Sequence, residues 1–170
     1  MSDVMRLVDP RPGGRPAERD ALYNPAFIAL ILAQAATGHE ARVGSGLPFS
    51  LAFLVAPIVL HGPTRDALPR QARSKMAPWL EEHPVQRAGL GRRAASLVPA
   101  VREGIRYGLR SSALALNDAT LSAPKPRLKS EDIMLSAEVD DILKRAGYVG
   151  GWFALAGSVS GIYALWRVMP

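Results

Sequence analysis

Between Arg145 and Arg167 lie 21 consecutive positions without a charged side chain, with Tyr148, Trp152 and Trp166 near the ends of the run. Two more charge-free stretches precede it, one between Asp20 and His39 and one from Val43 to Thr64. Together they make up about a third of the chain, whereas Arg65 to Lys144 carries most of the Arg, Lys, Asp and Glu. A helix of a small monomer needs only one apolar stripe to join a core. Helices that are apolar on nearly every side call for a membrane, a permanent partner or the interior of a soluble structure.

A membrane helix takes about 20 apolar residues to cross about 30 Å of hydrocarbon. The tail has that length, and Gly157 and Gly161 form the GxxxG pattern that lets helices pack closely in lipid. Gly157-Ser158, however, also reads as a helix stop followed by a new cap, and each half is then too short to span. Pro48, Pro57 and Gly62 break Val43 to Thr64 in the same way. The tail is therefore expected to form two short helices. Trp152, Phe153, Ile162 and Tyr163 should dock against the two uncharged N-terminal helices, leaving surplus apolar surface, Trp166 included, for a partner. These five side chains are the candidate hydrophobic interface.

At 170 residues the chain can bury roughly 70% of its unfolded surface as one domain. An apolar content of 48% argues against a disordered protein. The formal charge of +6 fits contact with nucleic acid or with an acidic protein surface. The absence of cysteine excludes disulfides, thiol catalysis and cysteine-ligated zinc. The first residues hold no apolar run of signal-peptide length, which predicts a cytoplasmic protein. Their Pro, Gly and Arg content predicts a flexible segment over 1–19, followed by a single domain over 20–170.

Local signals give a mainly α fold. Asn24 and Pro25 open a helix that Gly38 should stop near Thr37. A second apolar helix runs from about Phe49 to Leu60 with Pro57 inside it, and Thr64 to Pro69 reads as a capped turn. SKMAPWLEEH is a short helix with Trp79 inward. Two helices follow, split at Pro99, roughly Gln86 to Leu97 and Ala100 to Ser112. The second should turn Val98, Val101, Ile105, Leu109 and Ser112 inward. Leu114 and Leu116 alternate before an Asn117-Asp118 turn, and Thr120 to Ser122 returns, giving one short β-hairpin. Ser130 then caps a helix that Gly147 should end, with Asp140 and Asp141 facing water. A multi-helix domain with a hairpin also admits a winged-helix arrangement.

Few residues suggest chemistry. His39, His61 and His83 do not sit at metal-ligand spacing, and no GxSxG or Walker A sequence is present. Gly89 to Ala94, GLGRRA, matches GxGxxA but follows no strand. The expectation is no enzyme, no metal and no cofactor. Arg102, Arg106 and Arg110 recur four apart on one helix face, and Lys125, Arg127 and Lys129 follow the hairpin. As a helix and a wing they would suit DNA phosphates. They would also suit acids on a partner protein, or face plain solvent.

Several phrases stand in a telling order: Asn24-Pro25-Ala26-Phe27, Leu47-Pro48 with LAFLVAPIVLH, and Pro63 to Pro69. After them come Trp79-Leu80-Glu81-Glu82-His83-Pro84, LVPAVREGIRYGL, GGWFALAG and IYALWRVMP. In that order, over about Tyr23 to Pro170, the chain resembles the small middle component of bacterial three-component ABC-ATPase conflict systems. The resemblance implies an adaptor without catalysis that couples an SMC/Rad50-like ABC ATPase to an effector in anti-phage defence. Nucleic acid would then be met through the complex, with homo-oligomers also open and no membrane. Two other functions stay open: a basic winged-helix DNA binder and a small membrane-associated protein.

Overall fold

The computed structural model describes residues 23–71, 73–124 and 136–169. The segment expected to be flexible, 1–19, lies outside them, as do Lys125, Arg127, Lys129 and the expected cap Ser130. The described residues form seven α-helices and a small three-stranded sheet, as the mainly helical reading expected.

Helix α1 (Pro25–Val43) starts where Asn24 Oδ1 accepts the Ala26 N–H at 2.8 Å and Pro25 fills the first turn. It does not stop at Gly38. It runs on to Val43 and closes on Gly44, whose φ of 71° is the left-handed conformation that glycine adopts freely. Gly38 is retained inside the helix for a packing reason: a Cβ there would overlap the carbonyl of Gly147 on another helix.

Strand β1 (Leu47–Pro48) and a single 3-10 turn lead into α2 (Ala52–Val59), which is buried along almost its whole length and holds Pro57 within it. Helix α3 (Gly62–Ala67) and α4 (Met76–Glu82) are short. Pro84 then begins α5 (Pro84–Arg110), a continuous helix of 27 residues where two were expected. Pro99 is tolerated because it and Ala95, whose carbonyl loses its helical partner, both lie on the exposed side, where water can replace the bond. The inward stripe is also rotated from expectation. Leu97, Val101, Gly104, Ile105 and Gly108 are buried, while Leu109 and Ser112 face out. Gly104 meets Ile28 and Gly108 meets Leu114 at distances that leave no room for a Cβ.

Strands β2 (Ala115–Asn117) and β3 (Thr120–Ser122) make the expected hairpin, with Leu116 opposite Leu121. The tight turn is Asp118-Ala119, one residue on from Asn117-Asp118, and both have positive φ, the signature of a type I′ turn. Strand β1 adds to the outer side of β3, giving the order β1-β3-β2.

Helix α6 (Ala137–Leu155) begins at a Ser136 cap and passes straight through Gly147, Gly150 and Gly151. Helix α7 (Val159–Trp166) follows a bend of 113°. The break falls at Gly157, with φ of 105°, and at Ser158, whose hydroxyl accepts the Gly161 N–H at 3.1 Å, as the sequence indicated. Helix α1 lies at the centre, packed extensively against α6 and also against α5 and α2. No single helix among the described residues is long and apolar enough to cross a membrane.

Candidate functional site

Arg102, Arg106 and Arg110 are all exposed on α5, on the turns just before the hairpin. Arg106 is paired with Glu103 one turn earlier, which partly neutralises the stripe. Among the described residues Arg102 and Arg110 have no acidic partner within salt-bridge distance. The other half of the expected basic surface, Lys125, Arg127 and Lys129, lies outside the described residues.

Trp152, Phe153, Ile162, Tyr163 and Trp166 are brought together, but in the interior, where the most exposed of them, Tyr163, shows 6% of its surface. Trp79 of α4 organises the group. Its ring meets Trp152 edge-on at 5.3 Å and lies 5.9 Å from Trp166. The Tyr163 hydroxyl donates to the Ser50 carbonyl at 2.6 Å, tying α7 to the start of the second apolar segment. Trp166 is fully buried, and the large apolar side chains that the tail does turn outward are Leu155, 54% exposed, and Met169 after α7.

Two features were not anticipated. Arg65, 8% exposed, reaches from α3 to α6. Its Nε donates to Asp141 at 2.9 Å, its Nη2 to Glu138 at 3.2 Å and its Nη1 to the Val59 carbonyl at 2.8 Å. Asp141, expected to face water, is thus half of an ion pair. The second feature is the connection between α3 and α4, where the Pro69, Gln71 and Ser74 carbonyls each accept a bond from α6. The donors are Arg145 Nη1 at 3.3 Å, the Tyr148 hydroxyl at 3.2 Å and Trp152 Nε1 at 2.6 Å. Spaced by three and four residues, these donors occupy one face of α6. Burial pushes the Tyr148 phenol up to about 12, against the opposing pull of the Arg145 charge. With its carbonyls so engaged, the connection exposes the side chains of Arg70, Arg73 and Lys75.

Beside Arg73 and Lys75 opens a cavity of about 270 Å³, lined by Ser74, Met76, Ala77, Trp152, Leu155, Ala156 and Leu165. Its rim is cationic and its floor apolar. The sequence does carry a signal for it: three basic residues within Arg70 to Lys75, between Pro69 and Pro78. That run is overshadowed by the more regular stripe on α5.

The histidines are occupied locally. His39 Nδ1 donates to the Ser45 carbonyl at 2.9 Å, and His83 Nδ1 donates to the Trp79 carbonyl while its ring stacks on Trp79 at 4.3 Å. His61 Nδ1 accepts the Thr64 N–H, capping α3, and also accepts a hydrogen bond from the Thr64 hydroxyl at 2.7 Å. Arg93 in turn donates to the Thr64 hydroxyl oxygen at 3.2 Å. Burial, then the charges of Arg93 and Arg65, hold the His61 imidazole below its ordinary pKa. GLGRRA is a stretch of α5 with no strand before it, which removes the geometry of a dinucleotide loop. Among the described residues no three His, Asp or Glu side chains gather as metal ligands would.

No curated protein and no solved structure matches the chain. Residues 13–170, nearly the whole sequence, match the family described as ABC-three component (ABC-3C) system Middle Component 3. The protein belongs to that family, whose name implies that it works with the other components of an ABC-three component system.

Proposed function

We propose that this protein is a non-catalytic adaptor, acting in the cytoplasm, that couples an SMC/Rad50-like ABC ATPase to an effector in anti-phage defence. The observation that carries the reading is the family match over residues 13–170. The distribution of charge supports it, since cationic side chains crowd the surface at Arg70 to Lys75 and along α5 around a closed apolar interior. Co-expression with the ATPase and the effector of the same three-component system should give a complex that survives size-exclusion chromatography. A chain that elutes alone from such a lysate overturns the adaptor role.

A second reading has its own observation. Helix α5 leads directly into the β2–β3 hairpin, β1 completes a sheet of order β1-β3-β2, and Arg102 and Arg110 are exposed on that helix. A basic winged-helix DNA binder would present α5 to the groove and the hairpin beside it. Under this reading the wild type retards a DNA duplex at low salt, and R102E/R106E/R110E abolishes the shift. A wild type that binds no duplex at low salt removes it.

A further inference from the structure

We propose that the cavity between α4, α6 and α7 is the docking site for an acidic segment of a partner protein, anchored by one or two apolar side chains. The proposal rests on the adaptor reading and says where on the molecule the adaptor grips. Size comes first. At about 270 Å³ the cavity falls just under the range of about 300–1,000 Å³ usual for small-molecule sites. It is suited to a leucine-sized or phenylalanine-sized side chain. Leu155 and Leu165 offer such a side chain an apolar surface, the buried Met76 and Trp152 close the floor beneath them, and Leu155 extends that surface outward.

Charge selects the partner. Arg73 and Lys75 stand at the cavity and Arg70 on the same connection, and among the described residues none of them pairs with a carboxylate. The nearby acids of α6 are already engaged: Glu138 and Asp141 by Arg65, Asp141 also by Arg145, and Asp140 by Lys144. Glu81 and Glu82 sit at the far end of α4, about 9 Å along the helix axis from Lys75. The rim therefore presents uncompensated positive charge next to an apolar hole, which a segment of Asp and Glu around Leu, Ile, Met or Phe complements.

The backbone is also set in advance. Because the Pro69, Gln71 and Ser74 carbonyls are bonded to α6, the rim needs little ordering when a partner arrives. Nucleic acid fits this corner less well. Single strands are held by stacking bases on accessible aromatic faces, and Trp152 is 1% exposed.

The test uses the full chain and, as probes, overlapping short peptides tiling the ATPase and effector of the same three-component system, with affinities measured by fluorescence anisotropy. Bound peptides should combine acidic residues with a large apolar one. R73E/K75E and Leu155→Lys, all at exposed positions, should each weaken binding about tenfold with unchanged circular dichroism. R102E/R106E/R110E should leave binding unchanged. The same variants are then carried into the co-expressed complex. If the wild type forms the complex and R73E/K75E and Leu155→Lys form it equally well, the docking site is wrong and the adaptor role stands. If the wild type forms no complex and binds no peptide, both fall. Duplex or single-stranded DNA binding that R73E/K75E abolishes, with no peptide bound, also overturns the proposal.

Discussion

Arg65 shows why a charged side chain can be worth burying. Its planar guanidinium satisfies two carboxylates and the Val59 carbonyl at once, a set of acceptors that a lysine ammonium cannot match in geometry. Glu138 and Asp141 are themselves about half exposed, so after loss of the arginine they rehydrate. Arg65→Ala should therefore cost about 1–3 kcal/mol in urea unfolding, short of the penalty for a fully buried pair. His61 makes a prediction of a different kind. Its folded pKa is depressed, and in the unfolded chain it titrates near 6.5. Below that pH the unfolded state takes up a proton that the folded cap refuses, so stability falls as the solution is acidified from about 6.5. The loss levels off once the folded imidazole also protonates. His61→Asn keeps an acceptor for the Thr64 N–H and cannot titrate, so its urea midpoint should depend less on pH over that window. The caps were legible because they are local: Asn24 before Pro25, and Ser158 after Gly157. The Arg65–Asp141 pair was not, since its members stand 76 positions apart and nothing near Asp141 distinguishes it from a solvated acid.

Glycine accounts for most of the difference between the expected and observed helices. Within a helix it weakens the local preference, so Gly38 and Gly147 read as stops. In the structure Gly38, with Gly150 further along α6, allows α1 and α6 to cross with their backbones almost touching, and tertiary contact outweighs propensity. The two effects can be separated by substitution. A Cβ on Gly150 would collide with the Ala35 carbonyl, whereas one on Gly147 would lie 3.6 Å from the Gln34 carbonyl, an ordinary contact. Gly150→Ala and Gly38→Ala should thus destabilise by about 3 kcal/mol or more, as overpacking against an unyielding backbone does. Gly147→Ala should be neutral or stabilising by up to about 1 kcal/mol, the helix-propensity difference. Thermal melts of the three variants decide it. Comparable losses in all three would mean that the crossing is not what the glycines serve. The same logic explains the rotated face of α5, where Gly104 and Gly108 carry no hydrophobic signal and yet mark the packed side. At the hairpin tip, Ala119 holds a φ of 61° that costs an L-residue about 1 kcal/mol. Ala119→Gly should raise the melting temperature, the reverse of the usual glycine effect.

The three charge-free stretches find their explanation in one another. Helix α1 is enclosed by α6, α5 and α2, and α7 is folded back through the Gly157 bend toward Trp79 and Ser50, so apolar residues on more than one face of a helix are used. The sequence shows the lack of charge but not which stretches cover which, because that choice is made by long-range packing. One shared core predicts one cooperative unfolding event. The three tryptophans of the chain, Trp79, Trp152 and Trp166, all lie in the single cluster joining α4, α6 and α7. Intrinsic fluorescence therefore reports only that corner, whereas far-ultraviolet circular dichroism reports every helix. In a urea titration the two signals should share midpoint and slope. The docking proposal needs the same result, since a pocket poised by three bonds to α6 must be as stable as the helix that holds it. A fluorescence transition at lower urea than the dichroism would mark the corner as a separate, weaker unit. Its cationic rim would then be ordered only on binding, and a partner would meet no preorganised site.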